Sequence, residues 1–119
     1  MDIFNFTLAT GPASVIFHPE LTVPALPPSG GIYVADSNTA PLLRASRGFD
    51  PGAPLVIIDS GEEHKNLESV SRILDAALSA SLARDSLFVG FGGGVITDMT
   101  AFAASLYMRG ARLELVPTT

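Results

Sequence analysis

The sequence of 119 residues contains no cysteine. It therefore holds neither a disulfide framework nor a thiolate metal site, and redox chemistry says nothing of its compartment. Charge is scarce as well, at 16% of the chain against roughly 25% in an average domain. Basic residues are the scarcer sign, since 7 Lys and Arg against 12 Asp and Glu leave a formal charge of −5 and a pI near 4.7. Too little basic surface remains to neutralise a run of phosphates, which excludes broad nucleic-acid and anionic-membrane binding. A small, locally basic phosphate site stays open. Long apolar runs are also missing: nothing approaches the roughly 18 consecutive apolar residues of a spanning helix. The start, Met1-Asp2-Ile3-Phe4-Asn5-Phe6, lacks the basic flank and unbroken apolar stretch of a secretory signal. The expected location is the cytoplasm.

Apolar residues, by contrast, are plentiful at 47%. A chain of 12.4 kDa buries roughly two thirds of its unfolded surface, so a core is expected and intrinsic disorder is excluded. The low charge fraction further suggests a surface that another domain or subunit covers.

Short apolar runs alternate with punctuation along the chain. Ser14-Val15-Ile16-Phe17 reads as a strand, and residues 19–31, with Pro19, Pro24, Pro27, Pro28, Gly30 and Gly31, as an irregular connection. Gly31 to Ala35 is a strand ending in Asp36-Ser37-Asn38. A short helix is expected from Thr39 to Arg47, with Pro41 in its first turn. Leu55 to Ile58 is the next strand. Leu67, Val70, Ile73, Leu74, Ala77, Leu78 and Leu82 then recur at three- and four-residue steps, which predicts an amphipathic helix. Leu87-Phe88-Val89 begins a strand that runs into Gly90-Phe91-Gly92-Gly93-Gly94. A helix from about Val95 to Met108 follows, uncharged except for Asp98 and so expected to be largely buried. Leu113, Leu115 and Val116 suggest a last strand, stopped by Pro117. Strands alternating with helices predict an α/β fold: a Rossmann-like, doubly wound, mainly parallel sheet over residues 1–119.

Ligands of such sheets sit at the carboxyl ends of the strands. Here those ends carry Asp36 and Asn38, then Asp59 to Lys65, then Gly92 to Asp98, then Thr118 and Thr119. Glycines between a strand and a helix allow phosphates to approach backbone N–H groups at the helix start. Gly92-Gly93-Gly94 is nevertheless no dinucleotide fingerprint. The third glycine of that pattern would fall on Thr97 or, counting from Gly90, on Val95. A tight turn without ligand remains an alternative. Asp98 suits either a ribose or simply the helix dipole. Glu62 suits a ribose and Lys65 a phosphate, unless Gly61 to Lys65 is a solvated loop. His64 between acids and Lys65 is a poor start for a metal site, and His18 beside Pro19 reads as a surface residue. Arg109-Gly110 fits either a phosphate contact or a helix end with a glycine cap.

Taken together, Gly61 to Thr119 resembles the amino-terminal domain of the 3-dehydroquinate synthase family. The matching motifs are G-E-x-x-K at Gly61, Glu62 and Lys65, G-G-G-V-x-x-D from Gly92 to Asp98, Y-x-R-G at Tyr107, Arg109 and Gly110, and P-T-T at 117–119. The resemblance implies an NAD-dependent, metal-dependent lyase of the shikimate pathway. Such an enzyme cyclises 3-deoxy-D-arabino-heptulosonate 7-phosphate to 3-dehydroquinate with release of phosphate. It implies NAD contacts at Asp36, Asn38, Glu62, Lys65, Gly93, Gly94, Val95, Asp98, Thr118 and Thr119, and a substrate-phosphate contact at Arg109. The divalent metal, zinc or cobalt, would be held by a later helical domain with no counterpart here. The chain is thus expected to be a fragment, inactive alone, of an enzyme that works as a homodimer.

The sequence departs from the family in one place. Many synthases read G-D-x-x-G-F where this chain has Thr97-Asp98-Met99-Thr100-Ala101-Phe102. Related sugar-phosphate cyclases share the scaffold. Iron-type alcohol and glycerol dehydrogenases share G-G-G-x-x-x-D but usually place lysine where Ala101 stands. A non-catalytic nucleotide-binding or interaction module is the remaining alternative.

Overall fold

The computed structural model describes residues 2–9, 11–17 and 20–118. The chain order is β1 (Asp2–Leu8), β2 (Gly11–Phe17), β3 (Gly31–Asp36), α1 (Ala40–Ala45), β4 (Leu55–Ile58), α2 (Leu67–Ser79), β5 (Leu87–Gly92), α3 (Gly94–Leu106) and β6 (Arg112–Pro117). Four strands form one sheet in the order β4-β3-β5-β6, with every neighbouring pair parallel. Helices cover both faces, so the sheet is doubly wound, as the alternation of apolar runs implies. Ile32, Val34, Val56, Ile58 and Phe88 pack on one face beneath Val70, Ile73 and Ala77 of α2 and Ile96, Met99 and Ala103 of α3. Tyr33, Ala35, Val89 and Phe91 point to the other face, against Ala40 and Leu43 of α1 and Val23 of the proline-rich connection.

The elements form for local reasons. Asn66 caps α2, its Oδ1 accepting the Ser69 N–H at 2.9 Å. Pro41 sits in the first turn of α1, where its missing N–H costs nothing. Arg72 of α2 donates to the Ile57 carbonyl at 3.0 Å, occupying a group on the edge strand β4. Helix α3 lies close on β5 because the strand supplies clearance. A Cβ at Gly90 would stand 2.8 Å from Thr100 Oγ1, and one at Gly92 would stand 3.0 Å from Ile96 Cβ. Two strand glycines thus supply the room for the close approach of α3.

Several boundaries differ from expectation: β2 starts at Gly11 rather than Ser14, and α1 spans Ala40–Ala45 rather than Thr39 to Arg47. The segment Asp2–Leu8 is a strand, pairing antiparallel with Gly11–Phe17 in a separate two-stranded sheet. Phe4, Phe6 and Leu8 alternate with Asn5 and Thr7, and the register sets Phe4 opposite Val15 and Phe6 opposite Ala13. Helix α3 stops at Leu106 rather than Met108, and it is not largely buried: Ile96, Met99, Thr100, Ala103 and Ala104 face the core, while Phe102 and Leu106 are about half exposed. The chain then makes a tight turn in which Met108 (φ 46°), Arg109 (φ 69°) and Gly110 (φ 118°) are all left-handed. Arg109 therefore does not sit in the last turn of α3, and Gly110 closes the short turn by donating to the Tyr107 carbonyl at 2.8 Å.

Candidate functional site

The chain passes from β3 outward to β4, and later from β5 outward to β6 on the opposite side. The direction of winding reverses between β3 and β5, and such a switch point opens a crevice beyond the carboxyl ends of the strands. Two turns meet there, Asp36–Thr39 after β3 and Gly92–Gly94 after β5.

The first turn is built on one carboxylate. Asp36 Oδ1 accepts the N–H groups of Asn38 (2.8 Å) and Thr39 (2.7 Å). Thr39 Oγ1 lies 3.0 Å from the same oxygen and 3.1 Å from the Phe91 carbonyl, and it accepts the Asp36 N–H at 3.0 Å. On the other side Ser37 donates its N–H to the Ile58 carbonyl at 3.1 Å, and its hydroxyl accepts the Ser60 N–H at 3.2 Å. One turn thus ties the ends of β4, β3 and β5 together. Sequence reasoning singles out Asp36 and Asn38 but misses Ser37 and Thr39, because small hydroxyl residues at a strand end carry no spacing signal.

The second turn is open. Gly93 is the extended N-cap of α3, no side chain caps that helix, and no acid lies in its first turn. A Cβ on Gly94 would meet nothing within 4 Å. Val95 packs partly against the core. The Thr118 N–H donates to the Gly92 carbonyl at 3.0 Å, which holds Thr118 beside the glycines. Thr119 lies outside the described residues, as does His18.

Charge enters from β4. Glu62–His64 is a single tight turn, and Lys65 follows it. Lys65 Nζ donates to Asp98 Oδ2 at 2.8 Å and stands 3.8 Å from Glu62 Oε1. The hydrogen bond to Asp98, then the charges of Asp98 and Glu62, raise the Lys65 pKa above its ordinary value and keep the ammonium charged. Glu62, Lys65 and Asp98, distant in sequence, form one exposed cluster beside the glycine turn. Asp98 lies beyond the first turn of α3, so its ion pair explains its place better than the helix dipole does. His64 Nε2 is 3.8 Å from Glu63 Oε1. Among the described residues no group of three or more His, Cys, Asp or Glu converges in a way that could hold a metal ion.

Arg109 is elsewhere. It precedes β6, whose first residue Arg112 pairs with Leu87 at the start of β5, so it lies at the amino end of the sheet. Gly94 and Leu106 bound α3, and twelve helical steps separate them by about 18 Å. Tyr107 of the same motif is structural: it is buried, and its hydroxyl donates to the Leu82 carbonyl at 2.6 Å.

Among solved structures, 2-deoxy-scyllo-inosose synthase complexed with carbaglucose-6-phosphate, NAD+ and Co2+ matches at 30% identity with a TM-score of 0.64, over 76% of this chain and 26% of that one. The 2-epi-5-epi-valiolone synthase of Streptomyces hygroscopicus, with NAD+ and Zn2+ bound, matches at 29% identity with a TM-score of 0.63, over 75% of this chain and 26% of that one. Sheet, glycine turn and crevice together define a Rossmann-like α/β domain of the sugar-phosphate cyclase fold. The family described as 3-dehydroquinate synthase N-terminal matches residues 55–119, more than half of the chain. The chain belongs to the 3-dehydroquinate synthase family. Its curated relatives include the 3-dehydroquinate synthase of Gloeobacter violaceus, 51% identical over 72 residues, covering 60% of this chain and 19% of that protein. That of Acidithiobacillus ferrooxidans is 35% identical over 120 residues, covering 97% of this chain and 33% of that protein. The chain spans a third or less of the length of these relatives.

Proposed function

We propose that residues 1–119 are the NAD-binding portion of a 3-dehydroquinate synthase, an enzyme that turns 3-deoxy-D-arabino-heptulosonate 7-phosphate into 3-dehydroquinate and phosphate. The observation that carries this reading is the switch-point crevice. Its glycine turn has room where the Gly94 Cβ would be, and Glu62, Lys65 and Asp98 cluster beside it.

The residues present fit a dinucleotide. The uncapped N–H groups at the start of α3 suit a pyrophosphate, with Gly93, Gly94 and Val95 forming its backbone cradle. Glu62 and Asp98 accept hydrogen bonds from ribose hydroxyls. Lys65 holds those carboxylates in place and offsets their charge. Asp36 and Asn38 take the adenosine end, and Thr118, held beside the glycines, closes the far side; Thr119 is offered as a cofactor contact from its motif alone. Bound NAD supplies reversible hydride transfer with a secondary alcohol of the substrate. The work of this chain is to bind and orient it.

A metal is another matter. The described residues do not fit one. Support for a metal in the whole enzyme is the Co2+ and Zn2+ in the solved relatives. Arg109 is offered for the substrate phosphate. No carboxylate pairs with it among the described residues, yet α3 separates it from its own crevice. In that role it serves the crevice of a second chain, which a homodimer supplies. A small-molecule biosynthetic enzyme of this kind works in the cytoplasm.

The test is direct. Lys65 is the only lysine of the sequence, so amine acetylation reads the crevice at one side chain. NAD at millimolar concentration should release heat in calorimetry and protect Lys65 from acetylation. The chain alone should release no phosphate from the sugar-phosphate substrate. Absence of both heat and protection would favour a non-catalytic interaction module. Phosphate release above background would overturn the division of labour between this chain and the rest of the enzyme.

A further inference from the structure

We infer that Thr39 is a positioning residue that sets the preference of this crevice for NAD over its 2′-phosphorylated form, NADP; the inference rests on the dinucleotide reading above. The helix-capping explanation of Thr39 fails on geometry. Thr39 is the N-cap of α1, but its side chain makes no capping hydrogen bond. The hydroxyl instead accepts the Asp36 N–H at 3.0 Å and has two acceptors for its single proton. These are Asp36 Oδ1 at 3.0 Å and the Phe91 carbonyl at 3.1 Å.

Two consequences follow from these bonds. With the N–H groups of Asn38 and Thr39 also on Oδ1, one oxygen of Asp36 is fully engaged. Among the described residues no group bonds Oδ2, which leaves it as the acceptor for a ligand. A carboxylate held that way accepts a ribose 2′-hydroxyl and repels a phosphate in its place. The contact with Phe91 matters separately. Phe91 immediately precedes the glycine turn in β5, and the turn at Asp36 ends β3. A dinucleotide has a fixed span between its adenosine ribose and its pyrophosphate. It can engage Asp36 and the Gly93–Gly94 turn together only if those two are held at one separation. The β3–β5 ladder runs up to Val34 opposite Gly90, and beyond it Thr39 ties the two turns through its side chain, across 52 positions of sequence.

Calorimetry of NAD and NADP on the chain and on Thr39→Val, Thr39→Ala and Thr39→Ser tests this. Thr39→Val and Thr39→Ala should weaken NAD about tenfold, as expected for loss of one or two hydrogen bonds, and leave NADP nearly unchanged. The NADP-to-NAD ratio of dissociation constants should therefore fall about tenfold. Thr39→Ser keeps the hydroxyl and should hold the ratio within about twofold. Thr39→Ala removes the hydroxyl without adding a methyl, so it reads the effect should Thr39→Val fail to fold. An unchanged ratio with NAD still bound overturns the inference alone, and a lowered melting temperature with that unchanged ratio marks Thr39 as merely structural. Failure of the unmodified chain to bind NAD overturns the dinucleotide reading, and this inference with it.

Discussion

Gly92 and Gly94 are two positions apart, yet a Cβ at the first would stand 3.0 Å from Ile96 Cβ while one at the second would meet nothing within 4 Å. The first glycine belongs to packing and the second to the crevice. Gly92→Ala forces Ile96 away and should cost about 1–3 kcal/mol of stability through overpacking. Gly94→Ala does the reverse. Gly94 is the first residue of α3 and has no left-handed φ, so alanine should raise stability by about 0.5–1 kcal/mol. It should also weaken NAD by intruding on the pyrophosphate. Denaturant titration and calorimetry on both variants separate the two roles, and undiminished NAD affinity in Gly94→Ala would place the pyrophosphate elsewhere. The sequence shows the glycine run as a strand-to-helix turn. Which glycine serves a helix and which a ligand depends on what stands opposite, and spacing does not carry that.

Helices and strands with a buried face were legible because burial imposes a period. Val70, Ile73 and Ala77 line the buried side of α2 as their spacing predicts, whereas Leu67 and Leu78 of the same run fall at the margins of that face and are exposed. Residues 31–35 of β3 are buried throughout, as a continuous apolar run between Gly30 and Asp36 implies. The misses lie where no core enforces the pattern. Among the described residues β1 pairs only with β2, and Phe4, Phe6 and Leu8 stay about half exposed. The end of α3 was missed because Tyr107 leaves the helix to reach another element. Its ring lies 5.3 Å from that of Phe88, and its hydroxyl donates to Leu82 just beyond α2. In sequence this tyrosine belongs to a motif that points to a ligand; in the fold it clasps two helix ends. Tyr107→Phe should therefore lower stability by about 1–3 kcal/mol, the range for a buried carbonyl losing its donor, while NAD affinity stays as it was. Lost affinity at unchanged stability would return Tyr107 to the site.

Over the whole molecule, the charge deficit read from composition shows as apolar surface along α3 and β6, where Phe102, Leu106, Met108, Leu113 and Leu115 are exposed. It also leaves few groups to titrate at alkaline pH, and two of them are raised above their ordinary values. Tyr33 is fully buried, and its hydroxyl accepts the Asp50 N–H at 3.0 Å. Burial is the largest influence and pushes its pKa above the ordinary 10.0; the Asp50 charge adds to the rise and the Asp50 N–H opposes it. Lys65, across the sheet, is raised above 10.5 by its hydrogen bond and charge contact with Asp98, then by Glu62. Both groups hold their protons more tightly folded than unfolded. Their contributions are thus complete below the unfolded values and are lost as pH rises through the raised folded ones. Urea denaturation should give level stability up to about pH 9 and a fall above about pH 10. Tyr33→Phe should start lower, because the Asp50 N–H loses its acceptor, and then fall less steeply. Lys65→Met should make the fall shallower in the same direction. The two sites face different clusters and share no partner, so the effects of the two substitutions should add. Stability that stays level or rises between about pH 10 and about pH 11 would mean that neither the buried phenol nor the paired ammonium stands where the fold puts it.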